Sequence, residues 1–140
     1  HCNTMGTATT MNSLAEALGM CLPGTAAIPA VHADRLRAAE ATGVAAVRLV
    51  ASNITPDQII TQKSLDNATR VLLALGGSTN GVIHLAAIAG RLGLTLDLAR
   101  FNELSDTTPV LAAVGEAYTV RQLAREWADE ARLRCWWWHR

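Results

Sequence analysis

Apolar residues recur every three or four positions along most of this chain, and the breaks in that rhythm fall on glycine and proline. Met11, Leu14, Ala15 and Leu18 stand at i, i+3, i+4 and i+7, which places them on one face of a helix that Gly19 would end. Ser13 and Glu16 have capping-box spacing, although Thr9, Thr10 or an earlier residue could equally cap. "CLPGTAAIPA" then carries Pro23, Gly24 and Pro29, so it predicts a connecting loop that orders itself against its neighbours. Leu36, Ala39, Gly43, Val47 and Val50 line one face of a long helix over 34–51, with Gly43 placed to allow close approach of another helix.

Thr55, Pro56 and Gln58 combine an N-cap, a proline at the first helical position and the glutamine of a capping box, so a short helix starts there. Thr61 can cap the next one, in which Leu65, Ala68, Leu72 and Leu75 repeat at helical spacing up to Gly76 and Gly77. A further helix is predicted from Ser78 or Thr79 to about Leu92, and another from the Asp97 cap through Leu104. "TPVLAAV" is a short apolar run after a proline and is the best strand candidate. Residues 119–134 return to a helical pattern with Val120, Leu123, Ala124 and Trp127 on one side. The closing "CWWWHR" fits no amphipathic pattern and would make a sticky patch if exposed.

Composition narrows the partners. The 140 residues are 50% hydrophobic with a formal charge of +0, which gives no electrostatic footprint for nucleic acid or an acidic membrane. A small-molecule site or a protein partner is expected. The apolar runs are interrupted before membrane-spanning length, and no charged-then-apolar leader opens the chain. Three cysteines, Cys2, Cys21 and Cys135, leave an odd thiol and no CxxC spacing, so a reducing, cytoplasmic setting is the default expectation.

Two stretches can carry chemistry. Cys2 lies before or at the first turn of the first helix, where unpaired backbone N–H groups and the positive end of the helix dipole stabilise a thiolate. Asn3 and the threonines supply further donors nearby. In "ALGGSTNGVIHLAAIAG" two glycines end one helix while Ser78, Thr79 and Asn80 start another, so donors converge where a carboxylate or phosphate could bind. The plainer reading is a C-cap beside an N-cap. His84, a turn further on, is expected as a hydrogen-bonded core histidine in preference to a site residue. His32 and His139 are expected at the surface, Cys21 as a small apolar filler, and Cys135 without a partner.

Together, "CNTMGTATTMNSLAEALGMCLPGTAAIPA" and "NATRVLLALGGSTNGVIHLAAIAGRLGLTLDL" resemble the dihydroxy-acid dehydratase and phosphogluconate dehydratase family, nearer its sugar-acid branch. The resemblance covers His1 to about Val114. It implies a lyase that removes water from a 2,3-dihydroxy carboxylic acid to give a 2-keto acid, in amino-acid biosynthesis or sugar-acid metabolism. It also implies an iron-sulfur cluster, commonly 2Fe-2S, whose iron acts as a Lewis acid on the departing 3-hydroxyl, and a magnesium ion that holds the carboxylate and 2-hydroxyl. Cys2 matches the last of the family's three cluster cysteines, and the other two would precede His1. Thr4, Thr7, Thr9, Thr10, Ser78, Thr79 and Asn80 are the candidates for substrate contacts or for hydrogen bonds around the cluster.

The implied fold is mostly α for this stretch, within a parent α/β cluster-binding N-terminal domain. The implied division is 1–114 as part of that domain and 115–140 as a divergent helical tail that reads as frameshifted or truncated. With a single cluster cysteine and no catalytic residue carried over, the chain alone is expected to be inactive and to hold neither cluster nor magnesium stably. The family resemblance further implies a homo-oligomer of the full-length enzyme, without nucleic-acid or membrane partners. A rival reading is a small helical interaction module whose tryptophan tail binds a partner. An anion-binding enzyme centred on Ser78 to Asn80 is another.

Overall fold

A computed structural model describes residues 6–112 of the chain. Cys2, Thr4, the end of the strand candidate, the amphipathic stretch 119–134 and the tryptophan tail lie outside the described residues. Within them the chain is mostly helical and contains no strand: α1 (Thr7–Ala17), α2 (Ala33–Ala51), α3 (Pro56–Ile59), α4 (Gln62–Leu75), α5 (Asn80–Arg91) and α6 (Leu98–Thr107).

Helix α4 is the hub, touching α1, α5 and α6, while α1 also touches α5. Its buried residues include Leu65, Ala68, Leu72 and Leu73, so a stripe wider than the predicted one meets partners on several sides. Leu14 and Leu18 from α1, Leu85 and Ala89 from α5, and Phe101 and Leu104 from α6 complete one apolar core. Burial of each such leucine is worth roughly 1.5–3 kcal/mol, which far exceeds any difference in helix propensity.

The predicted stop and start signals are mostly used. Thr61 Oγ1 accepts from the Ser64 N–H (3.3 Å) while Ser64 Oγ accepts from the Thr61 N–H (2.8 Å), closing a reciprocal cap on α4. Gln58 Oε1 accepts from the Thr55 N–H at 3.2 Å, and Asp97 caps α6 by accepting from the Arg100 N–H at 2.7 Å. Helix α1 starts after Gly6, an earlier residue of the kind the sequence left open as its cap, and no side chain caps it.

Glu16, spaced from Ser13 as a capping partner, has a different role. Its two carboxylate oxygens accept from the Gly24 N–H (2.7 Å) and the Ala26 N–H (2.8 Å), which folds the proline-rich loop back onto α1. Arg35 adds a hydrogen bond to the Ile28 carbonyl. His32 is exposed and caps α2 through Nδ1, which accepts from the Asp34 N–H at 3.3 Å.

Three sequence expectations are corrected. "TPVLAAV" is no strand over its described part: the Leu111 and Ala112 N–H groups both donate to the Ala74 carbonyl (2.8 and 3.2 Å) at the end of α4. A carbonyl freed by the helix terminus thereby satisfies the run without a sheet. The apolar face of α2 covers none of the other described helices: none of its residues is buried, and a Cβ at Gly43 would meet no atom within 4 Å. His84 is exposed, because α5 buries Gly81, Leu85 and Ala89, a stripe that passes one residue to its side.

Helices α4 and α6 are also joined at the surface. Arg100 donates to Asp66 (2.6 Å) and to Glu103 (2.7 Å), and Gln62 donates to Asp66 at 3.3 Å. The hydrogen bond from Arg100, helped by Gln62 and the positive charge of Arg100, holds the Asp66 carboxyl below the usual aspartate value against a partial desolvation. Arg100 is correspondingly raised by its hydrogen bonds to Asp66 and Glu103.

Candidate functional site

The threonines at the start of α1 and the Gly77–Asn80 junction, one from each stretch singled out by its chemistry, meet in space. Gly76 ends α4 in the left-handed region, at φ 59°, where a side chain would be strained. The turn this permits carries Gly77 to Asn80 across the start of α1. There the buried Ser78 N–H donates to Thr10 Oγ1 at 2.9 Å. Thr7 Oγ1 and Ser78 Oγ share a hydrogen bond of 3.0 Å, and Asn80 Nδ2 donates to Thr7 Oγ1 at 2.9 Å. Ser78 Oγ also accepts from the Asn80 N–H at 3.3 Å.

The glycines make this contact possible. A Cβ at Gly77 would stand 2.7 Å from Thr10 Cγ2 and 2.9 Å from Thr10 Oγ1, inside van der Waals contact. At Gly81 it would stand 3.0 Å from Leu72 Cδ1 and 3.2 Å from Leu14 Cδ1. The α4–α5 junction is thus pressed against α1 with only hydrogen atoms to spare, and Thr10 (1% exposed) is locked between them.

Four backbone donors at this junction are already engaged. The Gly77 N–H donates to the Leu72 carbonyl and the Gly81 N–H to the Ser78 carbonyl, while those of Ser78 and Asn80 meet hydroxyls. The arrangement is a clasp between two helices, with Thr10 and Ser78 buried and Thr7 and Asn80 nearer the surface. Thr79 is half-buried and precedes α5 without a side-chain cap bond. Thr9 is half-buried and faces away from the clasp, into an open groove of about 600 Å³ that Ser13, Glu16, Ala17, Val71 and Leu75 also line.

No group of three or more His, Cys, Asp or Glu among the described residues could hold a metal ion. Cys21, half-buried with a free thiol, is the only described cysteine. The groups gathered here are neutral hydroxyls and amides, with Thr7, Thr10, Ser78 and Asn80 hydrogen-bonded to one another, which suits neither an iron-sulfur cluster nor magnesium as a ligand set. Among the described residues no helix is long and apolar enough to cross a membrane.

A family model described as "Dihydroxy-acid/6-phosphogluconate dehydratase N-terminal" matches residues 1–125. The chain is 49% identical over 113 residues to the dihydroxy-acid dehydratase of Ignicoccus hospitalis, a match that covers 81% of this chain and 20% of the relative. It is 53% identical over 113 residues to that of Methanospirillum hungatei, covering 81% and 21%. With that of Methanoregula boonei it is 51% identical over 135 residues, covering 95% and 24%. The chain thus spans about a fifth to a quarter of the length of these relatives.

Proposed function

The chain belongs to the dihydroxy-acid/6-phosphogluconate dehydratase N-terminal family, and from that premise we propose that it serves as a segment of a hydro-lyase that converts 2,3-dihydroxy carboxylic acids to 2-keto acids. The observation that carries this reading is the extended identity, about half of all aligned positions, to relatives named dihydroxy-acid dehydratase. An iron-sulfur cluster, to which Cys2 would contribute a thiolate, and a magnesium ion would supply Lewis acidity for the dehydration in the parent enzyme. Cys2 is the cluster ligand this chain contributes; the remaining ligands and the catalytic base come from elsewhere in the polypeptide.

The described residues act by position. The clasp of Thr10 and Ser78 fixes how deep α1 lies against α5, and so holds the first turn of the helix that Cys2 precedes. Thr7 and Asn80, at the accessible end of the clasp, and Thr4, Thr9 and Thr79 are the candidates for substrate contact or for hydrogen bonds around the cluster. With Cys2 as its one cluster cysteine under this reading, the chain alone should not turn over substrate. The oligomer of the parent, its substrate and its setting in the cell follow those of the family under this reading.

The test is an exchange of segments. Residues 1–125 of this chain, placed in the Methanospirillum hungatei dehydratase in place of the matching stretch, should support formation of 2-keto acid from a dihydroxy acid. Cys2→Ser in the chimera should remove both turnover and the visible absorption of the cluster. A chimera that folds and binds a cluster with Ser at position 2 overturns the role of Cys2. The isolated chain, incubated with iron and sulfide, should give neither a stable cluster nor turnover; both together would overturn its dependence on the parent.

A further inference from the structure

The last described residues lie beside the groove between α1 and α4. The Leu111 and Ala112 N–H groups donate to the Ala74 carbonyl at 2.8 and 3.2 Å, one residue before Leu75 in the groove wall. The chain beyond Ala112 therefore starts from the edge of the groove. Eight residues take it from Ala112 to Val120, a tether that spans up to roughly 28 Å, whereas packed helices stand only about 8–10 Å apart.

The groove suits apolar side chains with a basic margin. Ser13, Ala17, Ala26 and Ala27 make small walls and Val71 and Leu75 larger ones around about 600 Å³, while Glu16 is the one charged residue among the described lining. Both Glu16 oxygens accept from backbone N–H groups, and among the described residues no cation pairs with it.

The sequence 119–134 supplies the complement. Val120, Leu123, Ala124 and Trp127 form one stripe, and Arg121 and Arg125 flank it. The lengths also agree: seven residues from Val120 to Trp127 rise roughly 10 Å in a helix, and the wall from Thr9 to Ala17, eight residues of α1, is about 12 Å long.

We propose that residues 119–134 form a helix that packs into the α1–α4 groove, with Trp127 among the alanines and Arg121 and Arg125 toward Glu16. This packing is independent of the dehydratase reading, since it stands on the groove and on where Ala112 is held. It makes the segment after Ala112 part of the same folded unit as α1 and α4.

The test uses the full 140-residue chain with Cys2, Cys21 and Cys135 replaced by serine. Ser13→Cys paired with Ala124→Cys should oxidise to a disulfide within one chain about tenfold faster than Ser13→Cys paired with Gln122→Cys on the far side of the stripe, because docking raises the effective thiol concentration. In the single variant Ser13→Cys, alkylation of the thiol should speed up when Trp127→Asp is added and stay unchanged when Trp138→Asp is added. Circular dichroism and cooperative melting establish that each variant is folded. Equal crosslinking at positions 122 and 124 overturns the proposal, as does faster crosslinking of Ala124→Cys to Val47→Cys on α2. An alkylation rate that ignores Trp127→Asp, or that responds to Trp138→Asp instead, overturns it too and gives the groove to another occupant.

Discussion

Helices α1 and α2 look alike as sequence. Each carries apolar residues at helical spacing and each ends at a predicted stop, yet α1 buries Thr10 and Leu14 while α2 buries nothing. The difference lies in what faces them. The α4–α5 junction, stripped to glycine at Gly77 and Gly81, receives α1 at a distance that leaves no room for a methyl group, whereas α2 meets none of the other described helices. Periodicity therefore marks a face that must be covered; it does not name the cover or say whether the same chain provides it.

The widest contrast should come from cutting one leucine from each region. Leu72→Ala, in a wholly buried side chain beside Gly77 and Gly81, should cost about 2–5 kcal/mol in denaturant unfolding. Leu36→Ala, in dilute solution, should cost less than about 0.5 kcal/mol, as surface substitutions do. Equal losses would break the comparison, because they would mean that α2 is buried in the isolated chain.

Filling the space at the clasp comes next. Gly77→Ala puts a methyl 2.7 Å from Thr10 Cγ2, and should destabilise by about 3 kcal/mol, the upper end for overpacking. The same change at Gly43 should stabilise the dilute chain by up to about 1 kcal/mol through helix propensity. Thermal melts of the two variants, moving in opposite directions, would sharpen the distinction between a glycine needed for contact and one that is free.

A smaller effect isolates the hydrogen bond from the packing. Thr10→Val keeps the shape but strands the buried Ser78 N–H, for a loss of about 2 kcal/mol. Thr10→Ser keeps the acceptor and should recover part of that loss. Amide exchange at Ser78, faster in Thr10→Val than in Thr10→Ser, would show that the hydroxyl and not the methyl protects it.

The smallest effect lies at the α4–α6 surface. Asp66 has a lower pKa folded than unfolded, because Arg100 and Gln62 hydrogen-bond its charged form. Its contribution is fully present above the ordinary aspartate value near 3.8 and is lost as pH falls through the lowered folded value. Asp66→Asn should reduce stability at neutral pH by about 0.5–1 kcal/mol, as expected of a partly exposed pair, and flatten the acid limb of the pH–stability curve. An unchanged acid limb would mean that the pair contributes nothing.

The order and the approximate limits of the described helices were legible because they rest on neighbours in sequence. Thr61 with Ser64, Gln58 with Thr55, Asp97 with Arg100 and the left-handed Gly76 each act within one turn, so composition and spacing contain the cause. The family resemblance was legible for a similar reason, since it lies in two continuous stretches.

What faces each element was not legible, because that depends on partners brought together by folding. Glu16 could not be read as the anchor of a loop eight to ten residues away, nor "TPVLAAV" as a segment that hydrogen-bonds to Ala74 instead of forming a strand. The exposure of His84 follows from where the buried stripe of α5 falls, which only the packed helices reveal.

By itself, then, the sequence determined the helices, their caps and the two stretches that carry the candidate chemistry. Only the tertiary structure decided that those stretches touch, through Ser78 and Thr10, and that Gly77 is spent on contact while Gly43 is not. The physical reason is one of range: a cap is closed by groups within a turn of each other, whereas burial of a face depends on atoms far along the chain whose approach no local pattern encodes.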